Sequence, residues 1–254
     1  MARSGAVAIL VHLAFVAATW LAYALVRPPR PARLAGYRGP IAILGGWAYW
    51  VTRPILAGAA ALRFTANALT GIGLLLNCAA GVAAGLGAWG WTWIFLLWGS
   101  TADLLDGELA RSTGSSSPAG AFLDSNLDRV SEIALLAGLA VGMPDRSGVF
   151  WAIAALASSL MVSYARARGE GLGVTCPAFG LERPHRMVAF LFAFLAAAFL
   201  SAAGSSALLE LTCAAVALGA GATALGRMVA IHQILRRATG PSREWHGTPP
   251  AGMP

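Results

Sequence analysis

The residues best suited to chemistry are four aspartates in the stretch DLLDGELARSTGSSSPAGAFLDSNLD, residues 103–128. On a helix, Asp103 and Asp106 share one face, and Asp124 and Asp128 share a face of the helix that follows. Converging carboxylates repel one another unless a cation lies between them. Mg²⁺ and Mn²⁺ favour such oxygen ligands, and two metal ions can stabilise a displacement at phosphorus. The spacing therefore predicts a site for two divalent ions that acts on a phosphorylated substrate.

Small residues accompany the aspartates on both predicted helix faces. Gly107 and Ala110 share the face of the first pair, and Gly120 shares the face of the second pair. This arrangement leaves room for a phosphorylated ligand to approach the helix backbone. Arg111 follows at the mouth of the predicted site, where its guanidinium can bind a phosphate or pyrophosphate.

Two other interpretations of the aspartates stay open at this point. They could serve as helix caps or pair with arginines at the membrane interface, although that accounts for one or two acids better than for two matched pairs. They could also line the path of a cation or proton carrier, since ionisable residues inside membranes often do so. Acids along such a path would be spread across the membrane, whereas these cluster at one end of it.

The elements that position the aspartates are predicted to be membrane helices. The chain of 254 residues is 57% hydrophobic and 11% charged, with a mean hydropathy of +0.67, which excludes an ordinary soluble domain. Apolar stretches of roughly 20 residues, the length that spans a bilayer, recur along it. The fold class is therefore an all-α polytopic membrane protein. The net charge of +7 does not indicate nucleic-acid binding, because the arginines lie between the apolar runs and form no basic stripe.

The apolar runs divide the chain into three parts. Residues 1–33 form an N-terminal transmembrane anchor around Gly5–Val26, residues 34–238 form the membrane domain, and residues 239–254 form a Pro/Gly-rich tail. Pro40–Leu62, interrupted by glycines and Pro54, is predicted to be one or two interfacial amphipathic helices. The six predicted spans of the membrane domain are Ala66–Leu86, Thr92–Ala110, Ala119–Val141, Phe150–Ala165, Met187–Ala203 and Ala207–Ile234.

The arginines predict the orientation of these helices. Nearly all of them fall in loops on one side, whereas Arg3 and Arg146 fall on the other. The positive-inside rule places the arginine-rich loops, and with them the aspartates, at the cytoplasmic face of a membrane, which we expect to be a prokaryotic inner or plasma membrane. In the short loop between the two aspartate helices, Ser117 is predicted to be the N-cap and Pro118 the first helical residue.

The aspartate stretch resembles a known family signature. It reads D-x2-D-G-x2-A-R-x8-G-x3-D-x3-D, and the chain is identified by it as a member of the CDP-alcohol phosphotransferases. The resemblance implies a six-helix catalytic bundle, a homodimer, and transfer of a substituted phosphoryl group from a CDP-linked donor to an alcohol with release of CMP. It also implies that Asp128 is the general base, and that the ligands of two Mg²⁺ or Mn²⁺ ions are Asp103, Asp106, Asp124 and Asp128.

A second stretch extends the resemblance to the donor nucleotide. FTANALTGIG, residues 64–73, is similar to the family's T-P-N-x-L-T opening of the first core helix, with Ala66 in place of the proline. Asn67 and Thr70 would share the face towards the nucleotide, and Ser117 matches a position where the family often has a small donor. The residues expected to bind the CDP donor are Asn67, Thr70, Gly107, Ala110, Arg111, Ser117 and Gly120.

The predicted acceptor pocket lies in the arginine-rich loop. SYARARGEGLG and ERPHR resemble stretches of the branch that makes phosphatidylinositol phosphate or its archaeal-lipid counterpart. The residues expected to bind a phosphorylated acceptor are Arg166, Arg168, Arg183 and Arg186, although arginines here could also bind anionic lipid heads. The favoured reaction is phosphatidyl transfer from a CDP-diacylglycerol-like lipid to inositol phosphate, ahead of glycerol phosphate. The alternative within the family is transfer from a soluble CDP-alcohol to a lipid alcohol.

Overall fold

The computed structural model of the chain describes residues 2–28, 39–175 and 179–239. Regular secondary structure in these residues is entirely helical, which confirms the predicted all-α class. The helices are α1 (Ala2–Val26), α2 (Gly39–Ala61), α3 (Ala66–Gly85), α4 (Trp89–Ser112), α5 (Pro118–Gly142), α6 (Arg146–Glu170), α7 (Arg183–Ala197) and α8 (Ala202–Thr239). The predicted tail at Gly240–Pro254 and the arginines that follow α1 at positions 30, 33 and 38 lie outside the described residues.

Several of the helices have the length and composition of membrane spans. Four candidates, taken from the described residues, are Ser4–Val26, Ala66–Gly85, Arg146–Glu170 and Ala202–Arg237. Each is at least 20 residues long, which is enough to cross the hydrocarbon core of a bilayer. The two aspartate pairs lie on α4 and α5, outside these four apolar helices. The chain is an integral membrane protein.

The described residues within Met1–Ala80 and Ala88–Ser131 form one compact unit, in which the N-terminal helix packs against α4. A Cβ atom on Gly90 would lie 2.8 Å from the backbone carbon of Gly5, so the two backbones approach closely at this point. Near the middle of α1, the Trp98 indole Nε1 donates to Nε2 of His12 over 2.9 Å. The N-terminal helix α1 therefore packs against the helix that carries Asp103 and Asp106.

Helix α2 is continuous. The sequence left open one or two helices over Pro40–Leu62, and the structure has one, which runs unbroken through Pro54. A proline in a helix interior removes one backbone hydrogen bond and usually kinks the helix, but membrane helices tolerate it. Trp47 stacks on Trp20 of α1 with ring centroids 5.1 Å apart, and this contact holds α2 beside α1.

The described residues within Gly81–Gly87 and Glu132–Pro254 form the second compact unit, where the end of α3 meets the second half of α5. Each helix presents a pair of glycines four residues apart, Gly81 with Gly85 and Gly138 with Gly142. A Cβ on Gly138 would lie 1.9 Å from the Gly81 carbonyl oxygen. Small residues at this spacing let membrane helices pack backbone against backbone.

We expect Gly138→Ala to destabilise the protein strongly, because the added methyl group would overlap the backbone of α3. Overpacking a tight contact costs about 1–3 kcal/mol, and here no flexible side chain can move aside. Gly71→Ala is the matched control, because a Cβ on Gly71 of α3 has no atom within 4 Å. Thermal unfolding in detergent checks the prediction. Equal melting temperatures for the two variants would contradict the close contact.

The boundary between α7 and α8 also differs from the prediction. The sequence predicted a span over Met187–Ala203, but α7 ends at Ala197 and α8 begins at Ala202. Ser201 accounts for the difference, because its hydroxyl accepts a hydrogen bond from the Gly204 backbone N–H over 3.3 Å. A serine N-cap starts a helix by satisfying a free backbone donor of the first turn.

Candidate active site

The structure brings three of the four aspartates into electrostatic contact. Asp106 is only 4% exposed, and the carboxylates of Asp103 and Asp124 are close enough to repel its own. The side chain of Thr70 on α3 also lies against the Asp106 carboxylate. Asp128 is half-buried, one helical turn after Asp124 on α5. The predicted pairs of carboxylates therefore do lie on α4 and α5 as the spacing indicated.

A glycine on α3 makes room for Asp103. A Cβ atom on Gly73 would lie 2.5 Å from the Asp103 carboxylate oxygen Oδ1, which is closer than atoms of this kind approach. Any larger residue at position 73 would displace the carboxylate or move the helix. Gly73, the second glycine of GIG in the α3 stretch, thus contributes space for an aspartate, a role that the sequence alone did not indicate.

A cavity of about 220 Å³ opens beside Asp106 and Asp124. Its walls come from α3, α4, the serine-rich loop and the first turns of α5. The residues predicted to bind the CDP donor all line it: Asn67, Thr70, Gly107, Ala110, Arg111, Ser117 and Gly120. The family signature and the α3 stretch therefore meet in one cavity.

Arg111 lies at the exposed side of this cavity. Its side chain is 67% exposed and forms an ion pair with Glu108 over 3.2 Å. The guanidinium also passes over Gly107, where an added Cβ would lie 3.3 Å from its Nη1. An exposed ion pair of this kind contributes little to stability. The guanidinium can therefore exchange Glu108 for a phosphate at low cost.

The amino end of α5 forms the opposite wall of the cavity. Ser117 is the N-cap, because its hydroxyl accepts a hydrogen bond from the Gly120 backbone N–H over 3.1 Å, and Pro118 is the first helical residue. Both predictions are confirmed. Backbone N–H groups in the first turn of a helix favour anions, and a helix dipole adds to this preference.

The donor set fits divalent cations. Among the described residues, no three His, Cys, Asp or Glu side chains meet in finished metal-site geometry. The Asp106 oxygen Oδ2 is nevertheless buried with no hydrogen-bond partner in the described part of the chain. A buried carboxylate oxygen in this state, next to two further carboxylates, suits a hard cation such as Mg²⁺ or Mn²⁺.

The four arginines predicted to bind an acceptor differ in their surroundings. Arg166 and Arg168 are exposed near the end of α6, and Arg166 Nε donates to Glu170 over 2.8 Å. Two residues apart on a helix, they point in different directions. Arg168 lines a groove of about 220 Å³ that also contains His232 of α8. Arg183 is half-buried at the start of α7.

The fourth of these arginines, Arg186, is placed differently from what the sequence predicted. It is fully buried and forms a two-pronged ion pair with Glu132, which is 1% exposed. Sequence reasoning also missed Arg227 of α8, which is 1% exposed and forms an ion pair with Glu182. An arginine within an apolar run is the signal that could have found it, because such residues are rare and paired in membranes.

Comparison with known proteins identifies the family. The model of the family described as CDP-alcohol phosphatidyltransferase matches residues 63–230, from just before α3 to within α8. The chain belongs to the CDP-alcohol phosphatidyltransferase family. This phosphatidyltransferase segment contains α3 to α7 and most of α8, whereas α1 and α2 precede it. Family membership makes the protein a transferase, so the carrier interpretation of the aspartates is set aside.

The chain is similar in sequence to several enzymes of the family. Archaetidylinositol phosphate synthase of Pyrococcus horikoshii is 40% identical over 137 residues, which cover 54% of this chain and 72% of the relative. The synthase of the same name from Methanothermobacter thermautotrophicus is 36% identical over 135 residues, 53% of this chain and 68% of the relative. Phosphatidylinositol phosphate synthase of Streptomyces avermitilis is 39% identical over 140 residues, 52% of this chain and 57% of the relative.

Solved structures share the fold of the phosphatidyltransferase. Phosphatidylinositol phosphate synthase of Mycobacterium tuberculosis with CDP-DAG bound matches with a TM-score of 0.65 and 26% identity, over 71% of this chain and 93% of that chain. The same enzyme in complex with manganese and citrate matches with a TM-score of 0.65 and 26% identity, over 71% and 88% of the two chains. These similarities confirm the predicted fold of a membrane-embedded helical transferase.

Proposed function

We propose that the protein transfers the phosphatidyl group of CDP-diacylglycerol, or a similar CDP-lipid, to a hydroxyl of inositol phosphate and releases CMP. The observation that carries this proposal is the cavity in which Asp106 and Asp124 meet every residue predicted to bind the CDP donor. The names of the relatives support inositol phosphate as the acceptor, and CDP-DAG bound in a similar structure supports the donor.

The residues of the cavity have distinct proposed roles towards the donor. Asn67 and Thr70 on α3 bind the nucleotide, and Gly107, Ala110 and Gly120 allow it to approach the helices. Ser117 and the backbone N–H groups of α5 bind phosphate oxygens. The Arg111 guanidinium balances charge on the departing CMP, which requires it to leave Glu108.

The four aspartates have proposed roles in metal binding and proton transfer. Asp103, Asp106, Asp124 and Asp128 would hold two Mg²⁺ or Mn²⁺ ions, whose positive charge would offset that of the donor pyrophosphate. Asp128 accepts the proton of the attacking hydroxyl. The hydroxyl oxygen bonds to the lipid-linked phosphorus, and the bond from that phosphorus to the bridging oxygen breaks. CMP keeps the bridging oxygen and its electron pair, so atoms and charge balance.

The acceptor phosphate is proposed to bind Arg166, Arg168 and Arg183. Arg166 and Arg168 are exposed at the end of α6, whereas Arg183 is half-buried and its Nε atom is buried. Planar guanidinium groups bind phosphate through paired hydrogen bonds. We further propose that the site faces the cytoplasm, because the arginine asymmetry follows the positive-inside rule, and that the enzyme is a homodimer, as the family resemblance implies.

The acceptor is tested by measuring CMP release from purified protein in nanodiscs supplied with CDP-diacylglycerol and Mn²⁺ or Mg²⁺. We expect release with inositol phosphate to exceed release with glycerol phosphate or unphosphorylated inositol by at least about tenfold, the effect of about 1.4 kcal/mol of binding. Faster release with glycerol phosphate would reassign the acceptor and keep the chemistry. Release only from a soluble CDP-alcohol with a lipid alcohol would establish the alternative reaction.

A further inference from the structure

A buried ion pair between α5 and α7 joins two elements of the second unit. Arg186 Nε donates to Glu132 Oε1 over 2.8 Å, and its Nη2 donates to Oε2 over 2.9 Å. Both side chains are at most 1% exposed. Burying two charges in this way costs desolvation energy, and an apolar pair of the same volume is often as stable. The pair therefore calls for an explanation beyond the stability of the fold.

The Arg186 guanidinium also donates a third hydrogen bond, to the backbone just before α7. Arg186 Nη1 donates to the Leu181 carbonyl oxygen over 2.9 Å. On its other side, the Leu181 backbone N–H donates to Thr223 Oγ1 of α8 over 3.0 Å. Both polar groups of the Leu181 backbone are thus fixed, one from α7 and one from α8. Glu132 fixes the orientation of the guanidinium that makes the first contact.

Glu182, the next residue along the chain, is also fixed by a buried arginine. Glu182 accepts a hydrogen bond from Arg227 Nη2, and Arg227 Nη1 donates to the Val162 carbonyl oxygen of α6 over 3.0 Å. Two buried arginines on α7 and α8 therefore fix the segment of Leu181 and Glu182. Arg183 follows immediately, so its backbone position depends on these contacts.

We propose that Glu132 and Arg186 are positioning residues that fix the Leu181–Glu182 segment and, through it, the placement of Arg183 towards the phosphate of the acceptor. The assignment of Arg183 rests on the proposed function. Glu132 and Arg186 touch no substrate in this account, because the ion pair and the Leu181 carbonyl occupy the guanidinium. Losing the pair should therefore weaken acceptor binding selectively and leave binding of the CDP donor unchanged.

The test compares wild-type protein with Glu132→Gln and with the double variant Glu132→Gln/Arg186→Met. The single variant leaves an uncompensated buried guanidinium and can fail to fold, whereas the double variant removes both charges and retains the packed volume. Glu210→Gln of α8 is the matched control, because it is the same substitution in the same unit and the Glu210 carboxylate accepts a hydrogen bond from the Ser147 hydroxyl. For each protein, KM for inositol phosphate, kcat, Kd for CDP-diacylglycerol and hydrogen exchange of residues 181–186 are measured.

We expect the folded double variant to show a KM for inositol phosphate raised at least about tenfold, which is the effect of about 1.4 kcal/mol. Its kcat and donor Kd should stay within about twofold of wild type, and its residues 181–186 should exchange faster. An unchanged KM, or equal weakening of donor and acceptor, would overturn the inference. Wild-type protein inactive with inositol phosphate would refute the proposed function instead. In that case, unchanged hydrogen exchange in the variant would overturn the claim that the ion pair fixes the Leu181–Glu182 segment, and faster exchange would support that claim alone.

Discussion

An Asp128→Asn variant is expected to fold and bind CDP-diacylglycerol but to release CMP about 10²–10⁴-fold more slowly than wild type, the range typical of removing a general base. The amide cannot accept the proton of the acceptor hydroxyl, although it keeps the size of the carboxylate. The expected loss falls mainly on kcat, because the donor cavity is lined by other residues and the other three aspartates retain much of the metal binding. Steady-state CMP release and donor binding on the same preparation check both parts.

The control for this variant is Asp145→Asn, the same substitution outside the aspartate cluster. Asp145 is the N-cap of α6, where its carboxylate accepts a hydrogen bond from the Gly148 backbone N–H over 2.8 Å. Asparagine caps helices about as well as aspartate, so this variant should match wild type in stability and turnover. Full turnover by Asp128→Asn would exclude Asp128 as the general base. The assignment of Asp128 as a metal ligand would then need a separate test.

An Asp106→Asn variant is expected to lose metal binding and to gain stability when no metal is present. Asp106 is buried beside two other carboxylates, and its Oδ2 has no hydrogen-bond partner among the described residues. A neutral amide removes both the desolvation of the charge and the repulsion from Asp103 and Asp124. The same change removes a metal ligand. Losing a residue that only orients a ligand already lowers metal affinity by up to about 100-fold, so the affinity for Mn²⁺ should fall by at least that factor.

Two measurements check the expected loss of Mn²⁺ affinity and the expected gain in stability without metal. Mn²⁺ titration followed by electron paramagnetic resonance gives the affinity, and thermal unfolding in excess EDTA gives the stability of the metal-free protein. Asp145→Asn again serves as the control and should change neither value. A lower melting temperature in EDTA together with unchanged Mn²⁺ affinity would mean that Asp106 has a structural role and is not a ligand.

The sequence predicts well which helices carry the candidate site residues, because these residues follow helical periodicity. Aspartates three or four positions apart must share a helix face, and a serine followed by proline is a reliable helix start. Both statements depend only on local geometry, and α4, Ser117 and Pro118 follow them. The cavity then required the family resemblance, because nothing local indicates that Asn67 of α3 lies beside the start of α5.

The sequence predicts contacts between distant residues poorly. Gly73, Gly81 and Gly138 are ordinary small residues in apolar runs, and only the close approach of a second helix shows why they are needed. Arg186 belonged to an arginine-rich loop, so it was grouped with the arginines predicted to bind phosphate. Its pairing with Glu132, 54 residues earlier in the chain, depends on how α5 and α7 pack and has no local signal.

The reaction itself is tested most directly with CDP-diacylglycerol that carries ³²P only at the lipid-linked phosphorus. Purified protein in nanodiscs is given this donor, inositol phosphate and Mn²⁺, and the products are separated. If the acceptor hydroxyl attacks the lipid-linked phosphorus, all transferred label appears in a new phospholipid that contains inositol phosphate, the CMP is unlabelled, and EDTA abolishes both products. Label in a soluble nucleotide product, or CMP release without a labelled lipid product, would contradict phosphatidyl transfer as the function of this protein.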